Sequence, residues 1–281
     1  MMGWGMSDFF AKKVIAKIGS LQTAIALQIF GGGALLGIFL FSSGSVPALD
    51  GSSASQLLGL AALNALGYLL LYKAFEKGTL SVISPIAASS CGISVLLCYF
   101  FFQEPMGAKK SVGLICILIG IIITSTDFKE IRANWGAGVL KKGVLEAIGV
   151  MIVMGLWFPF WSEFMKGREL LFWSTALKIA MGVFMMGYFL LKNPVASLWS
   201  SYRIAGPTIV VIAMIDVFAY LAVSYGFYAT TRQTSLITVL AHAYSIPTLF
   251  LAYVLLNERV TRVQQSGIAL ILAGILFSTY A

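Results

Sequence analysis

Charged residues are scarce in this sequence. Lysine, arginine, aspartate and glutamate together make up 11% of its 281 residues, whereas hydrophobic residues make up 59%. A soluble domain carries about 25% charged residues. The mean hydropathy is +0.91, and the few charges avoid the long apolar stretches. The composition therefore excludes a soluble globular protein and predicts a polytopic integral membrane protein.

Cysteine and histidine are also rare, which excludes several kinds of site. The three cysteines, Cys91, Cys98 and Cys116, lie within apolar stretches at spacings that fit neither a zinc site nor a disulfide framework. His242 is the only histidine. We therefore expect no metal and no cofactor. The net charge of +8 comes without a basic run longer than two residues, so we expect no nucleic-acid partner.

Motifs for catalysis and for ATP-driven transport are missing. The sequence contains no G-x-S-x-G nucleophile elbow and no P-loop of the form G-x-x-x-x-G-K-[ST]. Asp216 has no second aspartate at its depth to form the carboxylate pair of an aspartyl protease. We therefore expect that the protein is not an enzyme and that ATP does not drive it directly.

Ten apolar stretches have the length that a membrane-spanning helix needs, about 20 residues. They lie near residues 1–17, 21–41, 57–76, 80–102, 108–126, 143–163, 170–191, 204–229, 235–256 and 262–281. The joints between them are short and polar and leave no room for a soluble domain. We predict an all-α membrane protein with ten transmembrane helices.

The two halves of the sequence repeat one another. The aligned pairs are Gln28 with Lys178, Gly32 with Gly182, Asn64 with Asp216, Tyr68 with Tyr220, and Glu104 with Glu258. Each copy holds five spans, an odd number, so the second copy must be inverted in the membrane relative to the first. Inverted repeats are typical of secondary transporters, whose sites lie near the midplane between the copies. We predict a first repeat at 1–126, a polar linker at 127–142 and a second repeat at 143–281.

Two details refine this prediction. Trp4 aligns with Trp157, yet three residues precede Trp4 where about fourteen precede Trp157 in its span. The first helix is thus short by about eleven residues, or roughly 16 Å, so either a start codon lies upstream or this helix does not fully span. In the fifth and tenth helices, glycines recur every seven residues, which predicts that these two helices pack closely together. These glycines are Gly113, Gly120, Gly267 and Gly274.

Two charged residues lie near the centres of predicted spans. Asp216 is central in 204–229 and Lys178 is central in 170–191. A charge at the centre of a membrane helix costs about 2.5–3.5 kcal/mol on insertion scales. The pair could be a buried ion pair that fixes packing, or one or both could contact substrate or a coupling proton. Lys178 could instead face lipid.

Polar residues at equivalent depth complete the candidate site. We predict that Gln28, Asn64, Lys178 and Asp216 surround a wet pocket, because lipid-facing helices would not carry them. Steps of four residues add Tyr220 to the face of Asp216, and Tyr68 and Tyr72 to that of Asn64. The full set of predicted substrate-binding residues is Gln28, Asn64, Tyr68, Tyr72, Trp157, Lys178, Asp216, Tyr220 and His242.

Three aromatic residues of this region allow more than one interpretation. His242 is either a neutral histidine bonded to tyrosine or backbone, or a proton-coupling group, because its unperturbed pKa lies near physiological pH. Asp216 and His242 are the two proton-coupling candidates. Trp157 and Trp161 belong either to the aromatic belt at the lipid interface or to the pocket. Trp157 is the better candidate for lining the pocket, because it lies deeper.

Three segments resemble a known family. The stretches "WGMSDFFAKK", "YKAFEKGTLSVISPI" and "LLNERVTRVQQSGIALILAG" are similar to the EamA-type transporters of the drug/metabolite transporter superfamily. The resemblance implies a ten-helix inverted-repeat bundle that moves small metabolites or drugs by alternating access, with both termini in the cytoplasm. The distribution of lysine and arginine among the joints favours the opposite orientation, so the orientation stays open.

We therefore expect a secondary transporter for a small molecule, either a proton antiporter or a uniporter. It should be a multi-pass protein of a prokaryotic cell (inner) membrane, with substrate and lipid as its partners, and a monomer or weak homodimer. The alternative is a channel or a non-transporting membrane scaffold, and an intramembrane enzyme is the least favoured. The substrate and the direction of transport stay open.

Overall fold

The computed structural model describes residues 1–42, 46–48, 50–125, 142–191, 195–230, 233–256 and 261–279. The predicted linker at 127–142 lies outside these residues except for Lys142, and so does Glu258. The helices are α1 (Met2–Ile18), α2 (Ser20–Phe41), α3 (Gly51–Lys77), α4 (Leu80–Ala88), α5 (Ser90–Phe100), α6 (Ala108–Ser125), α7 (Val144–Met165), α8 (Leu170–Leu190), α9 (Val195–Ala229), α10 (Thr234–His242), α11 (Ser245–Leu256) and α12 (Arg262–Thr279).

These helices match the ten predicted spans and confirm the all-α fold. The fourth span consists of α4 and α5, and the ninth consists of α10 and α11. By length and apolar composition, seven of the spans described here could cross a membrane. Shorter apolar helices occur within α6 at Ser111–Gly120 and within α12 at Gln265–Gly274. The protein is therefore a multi-pass integral membrane protein.

Helices α6 and α12 pack with almost no space between their backbones. A Cβ built on Gly120 would lie 2.7 Å from the carbonyl oxygen of Gly267, and one built on Gly274 would lie 2.7 Å from that of Gly113. Numbers rise along α6 as they fall along α12, so the two helices are antiparallel. This contact confirms the predicted packing of the fifth and tenth helices and has the symmetry of an inverted pair.

The same reciprocal arrangement joins α2 and α8. Gly32 faces the backbone of Lys178 and Ile179. A Cβ built on Gly182 would lie 3.5 Å from the Cβ atom of Gln28. The helices again run antiparallel, although they are equivalent members of the two copies. The inverted five-helix repeat is thus present in the tertiary structure.

The remaining inner helices exchange partners between the copies. Helix α1 packs on α9, where a Cβ on Gly3 would lie 2.9 Å from that of Ala219. In the equivalent contact, α3 packs on α7, and Gly67 lies against the Met154 side chain. The first helix of each copy therefore contacts the third helix of the other, and these four helices surround the centre of the bundle.

The fourth span of each copy is broken at an equivalent position, for two different chemical reasons. Between α4 and α5, the hydroxyl of Ser89 donates to the carbonyl oxygen of Ile86 at 2.6 Å and so competes with the helical bond. Between α10 and α11, Pro247 has no N–H for the carbonyl of Ala243, which accepts instead from Ile246 N at 3.1 Å. One residue at each break, Ser90 and Tyr244, lines the centre of the bundle.

Candidate central binding site

A small cavity lies between the two copies at the centre of the bundle. Residues of both copies line it: Trp4, Asp8, Asn64, Tyr68, Leu71, Ala87, Ser90, Val150, Met154, Trp157, Phe158, Asp216, Tyr220, His242 and Tyr244. It offers about 60 Å³ to the centres of water molecules, enough for a few waters. The lining is mostly apolar and aromatic with a few polar groups, as in small-molecule sites.

The carboxylate of Asp216 is fully engaged. Lys178 Nζ donates to Asp216 Oδ2 at 2.6 Å, and the hydroxyl of Tyr68 donates to Asp216 Oδ1 at 3.0 Å. The side chains of Lys178 and Asp216 are 1% and 3% exposed. The predicted ion pair is thus present and buried, and the alternative in which Lys178 faces lipid is excluded.

The ammonium of Lys178 also lies between two equivalent tyrosines. Its Nζ is 5.3 Å from the ring centroid of Tyr68 and 5.2 Å from that of Tyr220. Both distances are within the range of cation–π attraction. Tyr68 and Tyr220 occupy the same position in the two copies, so the ammonium of Lys178 lies near the pseudo-two-fold axis that relates the copies. Lys178 itself lies behind these rings and does not line the cavity.

Gln28 does not belong to this cavity, and the prediction that it lines the pocket is wrong. It faces a separate groove between α2 and α8 together with Gly32 and Gly182. Its side chain is buried, and neither amide atom has a hydrogen-bond partner in the described structure. The sequence placed Gln28 at the right depth, but the packing of α2 on α8 turns its side chain into the groove between them.

Tyr72 lies one turn after Tyr68 on α3. Its ring is 5.9 Å from that of Tyr68 and 6.2 Å from that of Phe75, centroid to centroid. The residue is 1% exposed and does not line the cavity. Tyr72 therefore packs behind Tyr68 and supports its position.

His242 lines the cavity at the end of α10. Its Nδ1 lies 2.6 Å from the carbonyl oxygen of Thr238. A carbonyl can only accept, so Nδ1 carries the proton and Nε2 is left to take up or release one. The ring packs edge-on against Phe158 at 4.5 Å. The backbone hydrogen bond of the first interpretation is thus present, and it leaves Nε2 available for the proton-coupling role of the second.

Both tryptophans of α7 are inside the bundle. Trp157 lines the cavity and stacks on Trp161 at 5.6 Å. Trp161 is 0% exposed, and its indole nitrogen donates to Ser224 Oγ at 3.1 Å. The interpretation of these residues as part of a lipid-facing aromatic belt is wrong, because α7 turns them towards α9.

Asp8 is a site residue that the sequence patterns did not reveal. It is 7% exposed, lines the cavity from α1 and accepts no hydrogen bond from the residues described. Its position four residues after Trp4 places both on one helix face, which is the signal that could have revealed it. The short first helix gave no reference for depth, so Asp8 could not be placed at the midplane.

Ser90 and Tyr244 were also missed, and both follow from the breaks in the fourth spans. Ser90 begins α5 and Tyr244 lies between α10 and α11, and both line the cavity. The two positions are equivalent in the repeat. No hydropathy pattern marks such a break, because it depends on individual hydrogen bonds.

Comparison with known proteins agrees with this architecture. An uncharacterised protein of Methanocaldococcus jannaschii is 30% identical over 122 residues, which are 43% of this chain and 88% of that protein. A crystal structure at 16% identity covers 99% of this chain, with 95% of its own chain covered and a TM-score of 0.67. That likeness concerns the fold alone.

The sequence model of the EamA-like transporter family matches residues 1–126 and again residues 141–280. The two matched segments contain the two copies of the inverted repeat. This chain therefore belongs to the EamA-like transporter family, a family of membrane transporters within the drug/metabolite transporter superfamily.

Proposed function

We propose that the protein is a secondary transporter that moves a small molecule across a prokaryotic cell membrane by alternating access, working as a monomer or weak homodimer. The central cavity is its substrate site. One observation carries the proposal: equivalent residues of the two inverted copies, Tyr68 with Tyr220 and Asn64 with Asp216, meet at this cavity. Lipid and substrate are its partners, and it performs no chemical reaction on the substrate.

The exchanged helix contacts support alternating access. Helix α1 packs on α9, and α3 packs on α7. Rocking of one copy against the other would therefore open the cavity to one side while it closes the other. Because the copies are inverted, the same conformational change gives the outward-facing state when it occurs in one copy and the inward-facing state when it occurs in the other.

Proton coupling is proposed to occur at Asp216. Its carboxylate holds Lys178 at 2.6 Å and Tyr68 at 3.0 Å. The carboxylate of Asp8 lines the same cavity. Protonation of Asp216 would remove the charge that holds Lys178 and weaken the link between α8 and α9. His242 is the second candidate, because its Nε2 is not required for the bond to Thr238.

The first experiment identifies a ligand and tests carrier behaviour. A thermal-shift screen of the purified protein against amino acids, nucleosides, sugars and amines selects a ligand. Uptake of that radiolabelled ligand is then measured in proteoliposomes preloaded with the unlabelled compound. We expect the internal compound to stimulate uptake of the label, because a carrier that returns with substrate bound exchanges internal for external compound. Uptake without such counterflow would identify a channel, and no uptake of any stabilising ligand would indicate a non-transporting scaffold.

The second experiment tests coupling with Asp216→Asn. We expect loss of uptake driven by a pH gradient, with counterflow retained, because the amide cannot exchange a proton. Glu163→Gln is the matched control, since Glu163 lies at the end of α7 and pairs with Lys166 near the surface. Unchanged gradient-driven uptake by Asp216→Asn would rule out Asp216 as the coupling group.

A further inference from the structure

The cavity contains a carboxylate without a counter-charge. Asp8 is 7% exposed and lines the cavity, yet no ion pair joins it to another described residue. A buried carboxylate stays charged only if a positive partner or hydrogen-bond donors offset its desolvation. A cation bound in the cavity would supply that partner.

The nearby lysines are engaged elsewhere. Lys178 is the only buried lysine or arginine among the residues described, and it is held by Asp216 and two tyrosine rings. Lys12, one turn after Asp8 on α1, donates to the carbonyl oxygens of Phe75 and Gly78 at the end of α3. When ionised, Asp8 is thus a negative charge that no buried side chain of the described residues balances.

The cavity also holds hydrogen-bond donors without acceptors, which include the hydroxyls of Ser90 and Tyr220 and two indoles. The indole nitrogens of Trp4 and Trp157 are buried and have no partner in the described structure. Both residues line the cavity with Asp8. The ring of Trp4 stands edge-on to Phe158 at 6.0 Å and to Tyr244 at 6.4 Å, so several aromatic rings share this cavity with the carboxylate. Aromatic faces attract organic cations.

We propose that this cavity binds a small molecule with one protonated amine, held by Asp8, and an uncharged oxygen acceptor, held by the indoles of Trp4 and Trp157. This inference rests on the proposed transport function and names the substrate class of the same site. An ammonium compensates Asp8, and a neutral carbonyl or hydroxyl oxygen accepts from the indoles without adding charge. A zwitterion would bring a carboxylate for which no cation is available.

Four small probes test the charge requirement. Alaninamide is the cation with an acceptor, sec-butylamine the cation without one, alanine the zwitterion and N-acetylalanine the anion. Thermal stabilisation of the full-length protein in detergent is titrated with each probe. We expect alaninamide to bind tightest, sec-butylamine more weakly, and alanine and N-acetylalanine to give no stabilisation.

Two variants assign the contacts. Asp8→Asn should weaken alaninamide about 10- to 100-fold, the loss expected when a charge-assisted hydrogen bond is removed. Glu163→Gln, an exposed carboxylate on α7, is the control and should bind normally. Trp4→Phe should weaken alaninamide but leave sec-butylamine unchanged, because only alaninamide offers an acceptor. Size-exclusion chromatography and circular dichroism verify the fold of each variant.

The results separate this inference from the proposed function. Equal binding of alaninamide by wild type and a folded Asp8→Asn variant, or equal binding of all four probes, would overturn it. If Asp8→Asn does not fold, the preference of the wild type for the cationic probes over the zwitterion and the anion still tests the inference. Absence of binding by alaninamide and the larger phenylalaninamide would also overturn it. Asp216-dependent transport of an uncharged or anionic ligand would keep the proposed function and reject only the amine subsite.

Discussion

At the scale of single residues, the Lys178–Asp216 pair has a cost and a benefit. Both side chains are almost completely buried, and the desolvation of two charges can exceed their mutual attraction. Tyr68 reduces the imbalance by donating to Asp216 Oδ1, and the rings of Tyr68 and Tyr220 stabilise the ammonium. Breaking the pair by removing one partner leaves an uncompensated charge in the interior.

A double-mutant cycle tests this balance. Lys178→Met and Asp216→Asn should each lower the free energy of unfolding by about 3–5 kcal/mol, because each strands one buried charge or its donors. The double variant should lose less than the sum of the two, since neither charge remains. Thermal and denaturant unfolding of the purified protein measure the effects. Losses that simply add would show that the two side chains do not interact.

An exposed ion pair provides the control for this cycle. Lys77 at the end of α3 pairs with Glu146 at the start of α7, and their side chains are 41% and 15% exposed. Solvent screens such a pair, so Lys77→Met should change stability by about 0–1 kcal/mol. A loss as large as that of Lys178→Met would mean that burial is not what sets the cost.

At the scale of helices, single glycines decide how closely the two copies approach. Gly120→Ala should destabilise the protein, because the new Cβ would lie 2.7 Å from the carbonyl oxygen of Gly267 and 2.9 Å from the backbone nitrogen of Ile271. Backbone atoms cannot rotate away as a side chain can, so α6 and α12 must separate. We expect a loss of about 1–3 kcal/mol, typical of overpacking, with a similar loss for Gly274→Ala.

Gly37→Ala is the matched control on another helix. A Cβ at Gly37 in α2 would meet no atom within 4 Å. Alanine is favoured over glycine in a helix by about 0.5–1 kcal/mol, so this variant should be as stable as the wild type or more so. Thermal unfolding compares the three variants. A stable Gly120→Ala variant would contradict the close α6–α12 contact.

At the scale of the whole molecule, the inverted repeat makes a prediction about the two sides of the membrane. Phe41 at the end of α2 and Leu191 at the end of α8 are equivalent in the two copies and are 96% and 85% exposed. Single cysteines at these positions should react with a membrane-impermeant maleimide from opposite sides of sealed vesicles. The background variant carries Cys116→Ser, because Cys91 and Cys98 are buried. Labelling of both positions from one side would contradict the inverted arrangement.

The ten spans and the inversion could be predicted because both follow from local patterns. Membrane helices must satisfy their backbone hydrogen bonds internally, so an apolar run of sufficient length predicts a helix directly. The pairing of Asn64 with Asp216 and of Tyr68 with Tyr220 follows from alignment of the two halves. An odd number of spans per copy then requires inversion.

The depth of a side chain in the membrane could be predicted from the sequence, but the direction in which it points could not. Hydropathy places Gln28, Lys178 and Asp216 at the centre of their helices, and that depth was sufficient to indicate the Lys178–Asp216 pair. The side that each helix turns inward depends on its neighbours. The packing of α2 on α8 turns Gln28 into the groove between them, and the contact of α1 with α9 brings Asp8 to the cavity.

The fold class, the repeat and the depth of the midplane charges are thus properties of the linear pattern, because the bilayer imposes length and apolarity on every span. The composition of the cavity is not. It arises where two copies meet and where two helices break at Ser89 and near Ala243, so it depends on contacts between residues far apart in the chain. Rotation of a helix about its own axis changes no hydropathy pattern, and packing against other helices alone selects one angle.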